Sequence, residues 1–234
     1  MLVYATVLAC AAMLATLVWR YDLHDREPLW LLALTFAAGY VAMRGAGHLE
    51  DAIFRSVHDG LPTPTEMALV AAGVEESFKF ALVLAVAFVF RRHFADPMDG
   101  LVYGAFGGLG MAVEESFHYL SFSTLGLETA GQEIIRLFAH LLMGAIGGFA
   151  VGMARLELRG HRLAILAGLA ASWTLHFAWD AASGTRLEHA EGEGARRMVG
   201  IGLMVTAMAI FGGLVRFGSE LSRRHFGSAA EELP

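Results

Sequence analysis

The chain has one cysteine, Cys10, in 234 residues. That excludes an internal disulfide framework and a cysteine-built zinc site. Charge is thin as well: 17% of residues are Asp, Glu, Lys or Arg, against about 25% in an ordinary soluble domain. No basic stripe runs along the chain and the formal net charge is −6, so nucleic acid is not an expected partner. The His-Glu-x-x-His zinc signature is missing. No internal repeat or low-complexity stretch is present. The first segment lacks the basic leader of a signal peptide, so residues 2–19 read as a retained membrane helix.

What the chain has in excess is apolar sequence. It is 56% hydrophobic, with a mean hydropathy of +0.53, where a soluble domain is roughly 45–50% apolar. Together with the long apolar runs this predicts an all-α, polytopic transmembrane helical bundle. About seven spans are expected, at roughly 2–19, 28–46, 64–90, 98–122, 134–154, 162–183 and 198–217, each near the ~20 residues a crossing needs. The second is the weakest, because Arg44 and two glycines crowd its end. Residues 1–234 read as a single integral membrane domain with a catalytic core about 64–183. Residues 184–197 read as a hydrophilic surface loop, and the tail from Ser219 to Pro234 as partly disordered.

Two helix starts are well signalled. Thr63-Pro64-Thr65-Glu66 offers an N-cap, proline at the first helical position and glutamate at the third. Asp96-Pro97-Met98-Asp99 does the same with aspartates. Gly144, Gly148 and Gly152 recur every fourth position, which suits close packing of membrane helices. Arginines gather in the loops after spans one, three and five and in the tail. That bias favours an N-terminus outside and a C-terminus in the cytoplasm, in the cell (plasma) membrane.

Against this apolar background four consecutive spans carry ionisable groups. Glu75, Glu76 and Lys79 lie in the third, Glu114, Glu115 and His118 in the fourth, Arg136 and His140 in the fifth, His176 and Asp180 in the sixth. Such a group in hydrocarbon costs at least ~2.5–3.5 kcal/mol, so it usually faces an interior cavity and marks function. Within each span the spacing is four residues (Glu75 and Lys79, Glu114 and His118, Arg136 and His140, His176 and Asp180), about one helical turn, so each pair shares a face. At ~1.5 Å per residue, Glu75 lies about 15 Å beyond the start of its span and Glu114 about 12 Å before the end of its own. His140 lies about 9 Å inside a span start and His176 about 10 Å before a span end. The spans alternate in direction, so all four motifs fall at a similar depth, toward the loops after spans four and six. One shared site is expected there.

Paired carboxylates, a cation and two imidazoles suit activation of water for attack on an acyl carbon. One glutamate takes the proton of water, a neighbouring carboxylate or lysine tunes it, and a histidine steadied by an aspartate stabilises the oxyanion. Alternatively His140, His176 and a carboxylate, Glu75 or Glu114, hold Zn²⁺ with an open position for water. Nothing in the spacing demands a metal. Glu115-x-x-His118 is a single Glu-x-x-His pair, where bundled di-metal sites use two. Simpler roles exist as well: a Glu75–Lys79 ion pair can merely fix helix register, and Arg136 can snorkel to the interface.

These stretches, Glu75-Glu76-x-x-Lys79, then DPMDGLVYGAFGGLGMAVEESFHYL, Arg136-x-x-x-His140 and His176-x-x-x-Asp180, resemble the PrsW family of intramembrane proteases. That family lies within the wider superfamily of CAAX prenyl proteases and bacteriocin-processing proteins. The motifs occur in the family's order over about half the chain, residues 64–183. The resemblance implies an intramembrane endopeptidase that cleaves a membrane-associated protein, such as an anti-sigma factor, on the extracytoplasmic side. It implies Glu75 as the water-activating base, Glu76 and Lys79 as its close supports, and Glu114, His140, His176 and Asp180 completing the site. Glu115, His118 and Arg136 are expected in supporting places. The family often has Asn where this chain has Glu115 and Tyr where it has His118, which adds charge to the site. Two other functions are compatible with buried acids and imidazoles: a seven-helix zinc-dependent hydrolase of lipid amides or esters, and a proton-coupled transporter.

Overall fold

The computed structural model describes residues 2–21, 26–57, 62–122, 127–158, 160–184 and 193–231. Seven α-helices carry nearly all of them: α1 Leu2–Tyr21, α2 Leu29–Val57, α3 Pro64–Val89, α4 Pro97–Phe122, α5 Leu127–Arg155, α6 His161–Gly184 and α7 Glu193–Glu231. One 3₁₀ turn, Arg91–His93, joins α3 to α4, and no strand occurs among the described residues. The protein is the all-α bundle the apolar runs predict.

The two signalled helix starts are capped as their residues dictate. At α3 the Thr63 backbone N–H donates to Glu66 Oε2 at 2.8 Å, and Glu66 N–H donates back to Thr63 Oγ1 at 3.3 Å. At α4 Asp99 Oδ2 accepts from the backbone N–H of Asp96 at 2.8 Å, and Asp96 Oδ1 accepts from Met98 N–H at 2.5 Å. Each cap satisfies donors that the first helical turn would otherwise leave bare.

α4 is the central rod. Every residue from Pro97 to Glu114 is buried, which its run of glycines and small apolar residues permits. It lies along α5 on one side and α2 on the other, while α3 packs against α6 and α2. The α4–α5 contact is backbone on backbone. A Cβ built on Gly104 would stand 2.1 Å from the Gly144 carbonyl oxygen, and one on Gly148 would stand 2.1 Å from that of Gly100. No side chain fits there, so the fourfold spacing on α5 meets an equal spacing on α4, at Gly100, Gly104 and Gly108.

Three helices run further than expected, α5 among them, which begins at Leu127 ahead of position 134. α2 continues eleven residues beyond position 46, to Val57, because Arg44 is not stranded in hydrocarbon: it pairs with Glu114 of α4. α7 begins at Glu193, inside the stretch read as loop, and continues through the tail to Glu231. A Glu220–Arg224 pair one turn apart supports that extension, and no proline interrupts it before position 234. Residues 185–192 of the expected loop and 232–234 of the tail lie outside the described residues.

By length and hydropathy alone, α1, α2, α5 and α7 qualify as membrane crossings. Only 6% of the most apolar stretch of α7 is buried, so that surface needs lipid around it. α3, α4 and α6 are of crossing length, at 26, 26 and 24 residues. They carry polar groups of the inner cluster.

Candidate active site

Glu75, Glu76 and Lys79 on α3, Glu115 on α4, Arg136 and His140 on α5, and His176 and Asp180 on α6 form one connected cluster. Its centre is the Glu75 carboxylate, 3% exposed as a residue. Glu75 Oε2 lies 3.8 Å from His140 Nε2 and 3.7 Å from His176 Nε2. The two imidazoles meet edge to face with centroids 5.2 Å apart.

His176 is held at both ring nitrogens. Its Nδ1 lies 2.7 Å from Glu76 Oε1, and its Nε2 lies 3.2 Å from Asp180 Oδ2, one turn along the same helix. Glu76 in turn accepts from Lys79 Nζ through Oε1 and from the Ser172 hydroxyl through Oε2. Ser172 Oγ also lies 3.0 Å from the Met143 carbonyl oxygen, so α3, α5 and α6 are tied at one point. Lys79 thus serves Glu76, three residues away, although the four-residue spacing suggested Glu75.

His140 is held from the α4 side. Its Nε2 lies 3.0 Å from Glu115 Oε2. The other oxygen, Glu115 Oε1, lies 3.3 Å from Arg136 Nε. Arg136 is bonded also to the buried Glu133 and has its guanidinium carbon 4.5 Å from the centroid of the Tyr119 ring.

The two adjacent glutamates of α4 divide differently from the expectation. Glu114 does not join the cluster: its Oε1 pairs with Arg44 Nε at 3.4 Å, toward α2. Glu115 takes the inward position instead, because neighbours on a helix point about 100° apart and only one can face α5 and α6. His118 is exposed and packs edge to face on Tyr119 and Phe122, outside the cluster. Ser172 and Glu133 were not anticipated; a serine in an apolar span and a glutamate near a helix start carry no distinguishing pattern. Glu50 of α2 also reaches the region: its Oε1 is buried without a hydrogen bond, and its charge interacts with Glu115, His176 and Asp180.

The donor chemistry fits a divalent ion. Glu75, His140 and His176 each offer one ligand atom, and these atoms all lie within 4.8 Å of one another. Glu75 Oε2, Glu115 Oε2 and His140 Nδ1 are buried without an aligned hydrogen bond, which is the condition a bound ion or water relieves. Among the described residues the inner part of the network holds four carboxylates (Glu75, Glu76, Glu115 and Glu133) against two permanent cations, Lys79 and Arg136. That deficit of positive charge in a low-dielectric interior has to be met by protons or by a cation. Two imidazoles and a carboxylate are a donor set that zinc and related ions accept.

The model of the PrsW family intramembrane metalloproteases matches residues 27–212, and the chain belongs to that family. Curated relatives are each named Protease PrsW. The one from Clostridioides difficile is 27% identical over 58% of this chain and 59% of its own length. The one from Geobacillus kaustophilus is 26% identical over 68% of this chain and 69% of its own length. The one from Bacillus subtilis is 29% identical over 57% and 60%. The chain thus spans about three fifths of the length of the first and third. No solved structure matches it. With its apolar helices and this membership, the protein is an integral membrane protein.

Proposed function

We propose that this chain is an intramembrane endopeptidase that hydrolyses a peptide bond of a membrane-associated protein. The observation that carries the reading is the Glu75 carboxylate, buried and without a hydrogen-bond partner on Oε2, facing two imidazole nitrogens from two other helices. Membership of a protease family favours hydrolysis over proton-coupled transport, and peptide bonds over lipid amides or esters.

In this reading Glu75 takes a proton from water, the water oxygen attacks the carbonyl carbon, and the C–N bond breaks as Glu75 returns that proton to the departing amine nitrogen. His176, whose Nδ1 is held by Glu76, keeps its Nε2 turned toward Glu75. Lys79 and Ser172 hold Glu76 in place, and the enclosing helices limit water near the reacting carbon. His140 and His176 with a carboxylate of the cluster would hold a divalent ion, zinc being the fitting candidate. When bound, such an ion polarises the scissile carbonyl and acidifies water beside it.

The substrate class is a membrane-tethered protein, an anti-sigma factor being the kind that the family likeness implies. A cavity of about 300 Å³ between α3 and α6, lined by Gly73, Glu76, Ser77, Leu169, Ala170 and Trp173, supports entry of a substrate segment from the lipid side. Its volume is at the lower end of the ~300–1,000 Å³ of ligand pockets. The site belongs to the extracytoplasmic half of the plasma membrane, with the N-terminus outside and the C-terminus in the cytoplasm. The catalytic core spans about 64–183 of a single domain.

The test is cleavage of membrane-tethered reporter proteins in liposomes by the purified chain and by Glu75→Gln. Removal of the base should lower turnover by ~10²–10⁴-fold. Undiminished cleavage by the variant would overturn the reading.

A further inference from the structure

Two duties fall on Glu75 in the reading above. It is the base, and it is also the carboxylate of the three-donor cluster with His140 and His176. The duties conflict, because a cation on a carboxylate oxygen stabilises the charged form and weakens it as a proton acceptor. A second carboxylate beside one of the imidazoles removes the conflict, and Glu115, outside the Glu75–His140–His176 group, lies against His140.

Three observations favour it. Glu115 Oε2 lies 3.0 Å from His140 Nε2, close to the ~3.3 Å between two donors of a tetrahedral ion with bonds of ~2.0–2.1 Å. That oxygen is buried and has no aligned hydrogen bond. The opposite oxygen is anchored by Arg136 Nε at 3.3 Å, and Arg136 is itself fixed by Glu133. A ligating carboxylate is commonly held in this manner, one oxygen toward the ion and the other on an outer hydrogen-bond donor. Asp180 is the competing candidate, with Oδ2 3.2 Å from His176 Nε2, but its side chain is 29% exposed against 16% for Glu115.

We propose that Glu115 is the carboxylate donor of this centre, completing the ligand set of His140 and His176 and leaving Glu75 as the base. The proposal rests on the metal-assisted reading of the site. It assigns separate tasks to two glutamates on different helices, α3 and α4.

Cobalt(II) is the probe, because its visible bands report the ligand set without any turnover. The full chain in detergent is titrated with Co²⁺ alone, and affinity is read by competition with a chromophoric chelator. Glu115→Ala and the volume-conserving Glu115→Gln should both shift the bands. Glu115→Ala should weaken Co²⁺ binding by more than the roughly 10–100-fold that loss of an outer partner costs. Glu75→Gln should keep the native bands while losing cleavage. The proposal is overturned if Glu115→Ala keeps the native bands, or if wild-type protein takes up no stoichiometric Co²⁺. Thermal melting of each variant identifies misfolded protein, and Glu115→Gln with a native melt keeps the comparison decisive. Failure of the protease reading is separate: it would appear as cleavage surviving in Glu75→Gln, whatever the cobalt spectrum.

Discussion

His176 Nδ1 lies 2.7 Å from Glu76 Oε1, and this contact turns the Nε2 edge of the ring toward Glu75. Carboxylate-backed imidazoles of this kind are fixed in tautomer and direction. Glu76→Ala is therefore expected to lower cleavage by ~10–100-fold, and Glu76→Gln by less, since an amide oxygen still accepts from the ring. Steady-state cleavage of a liposome-tethered reporter measures both; equal rates for Glu76→Ala and wild type would contradict the assignment.

Lys79 and Glu76 are both almost fully buried, at 3% and 4% side-chain exposure. Removing one partner strands the other charge in a medium that solvates it poorly. Lys79→Met should destabilise the fold by ~3–5 kcal/mol, read as a lower melting temperature in detergent. Adding Glu76→Gln to the same chain should recover much of that loss, since the stranded charge is gone. A double variant no more stable than Lys79→Met alone would show that the pair is not what holds the two groups.

Divalent ions should matter to turnover. Treatment with a strong chelator is expected to lower cleavage at least tenfold, and Zn²⁺ or Co²⁺ should return it, as for catalytic ions held by imidazole and carboxylate. Elemental analysis of purified His140→Ala and His176→Ala should find less bound metal than in wild type.

Glycines along the chain should differ sharply in tolerance. Gly104→Ala places a Cβ 2.1 Å from the Gly144 oxygen, whereas Gly47→Ala meets nothing within 4 Å. The first should cost ~1–3 kcal/mol by overpacking, and the second should be neutral or stabilising by up to ~1 kcal/mol through helix propensity. Melting curves in detergent decide it.

Entry between α3 and α6 makes a further demand. Gly73 lines the cavity there, and a Cβ on it would only touch Trp173 Nε1 at 3.6 Å, so a small side chain fits. Gly73→Leu should fill the space and raise KM for a membrane-tethered substrate more than it lowers kcat. An unchanged KM would argue that substrate arrives by another route.

Much of this architecture was legible before any coordinates, for a local reason. Hydropathy runs and N-cap chemistry depend on near neighbours, so Thr63, Pro64 and Asp96 announce their helices without reference to the rest of the fold. The shared depth of Glu75, His140 and His176 also followed from arithmetic along straight rods. What stayed hidden depends on rotation about those rods. Glu114 and Glu115 are adjacent, and nothing local says which one faces inward; Glu114 pairs with Arg44, about seventy positions away on α2. The reach of α2 past Arg44 has the same cause. Ser172 was invisible because its role exists only where α3 and α5 come beside it. The glycines of α5 were readable as a pattern, yet their match to Gly100 and Gly104 of α4 is a property of two helices at once.

That seam has a mechanical consequence. Where Gly100 and Gly104 meet Gly144 and Gly148 no side chain separates α4 from α5, so this stretch has nothing compressible to slide on and fixes the two helices that carry Glu115 and His140. α3 and α6 are joined instead by side chains, Ser172 and His176 on Glu76, beside the cavity at Gly73 and Trp173. A seam made of side chains can adjust by rotamer where one made of backbone cannot, so room for a guest is to be sought on the α3–α6 side.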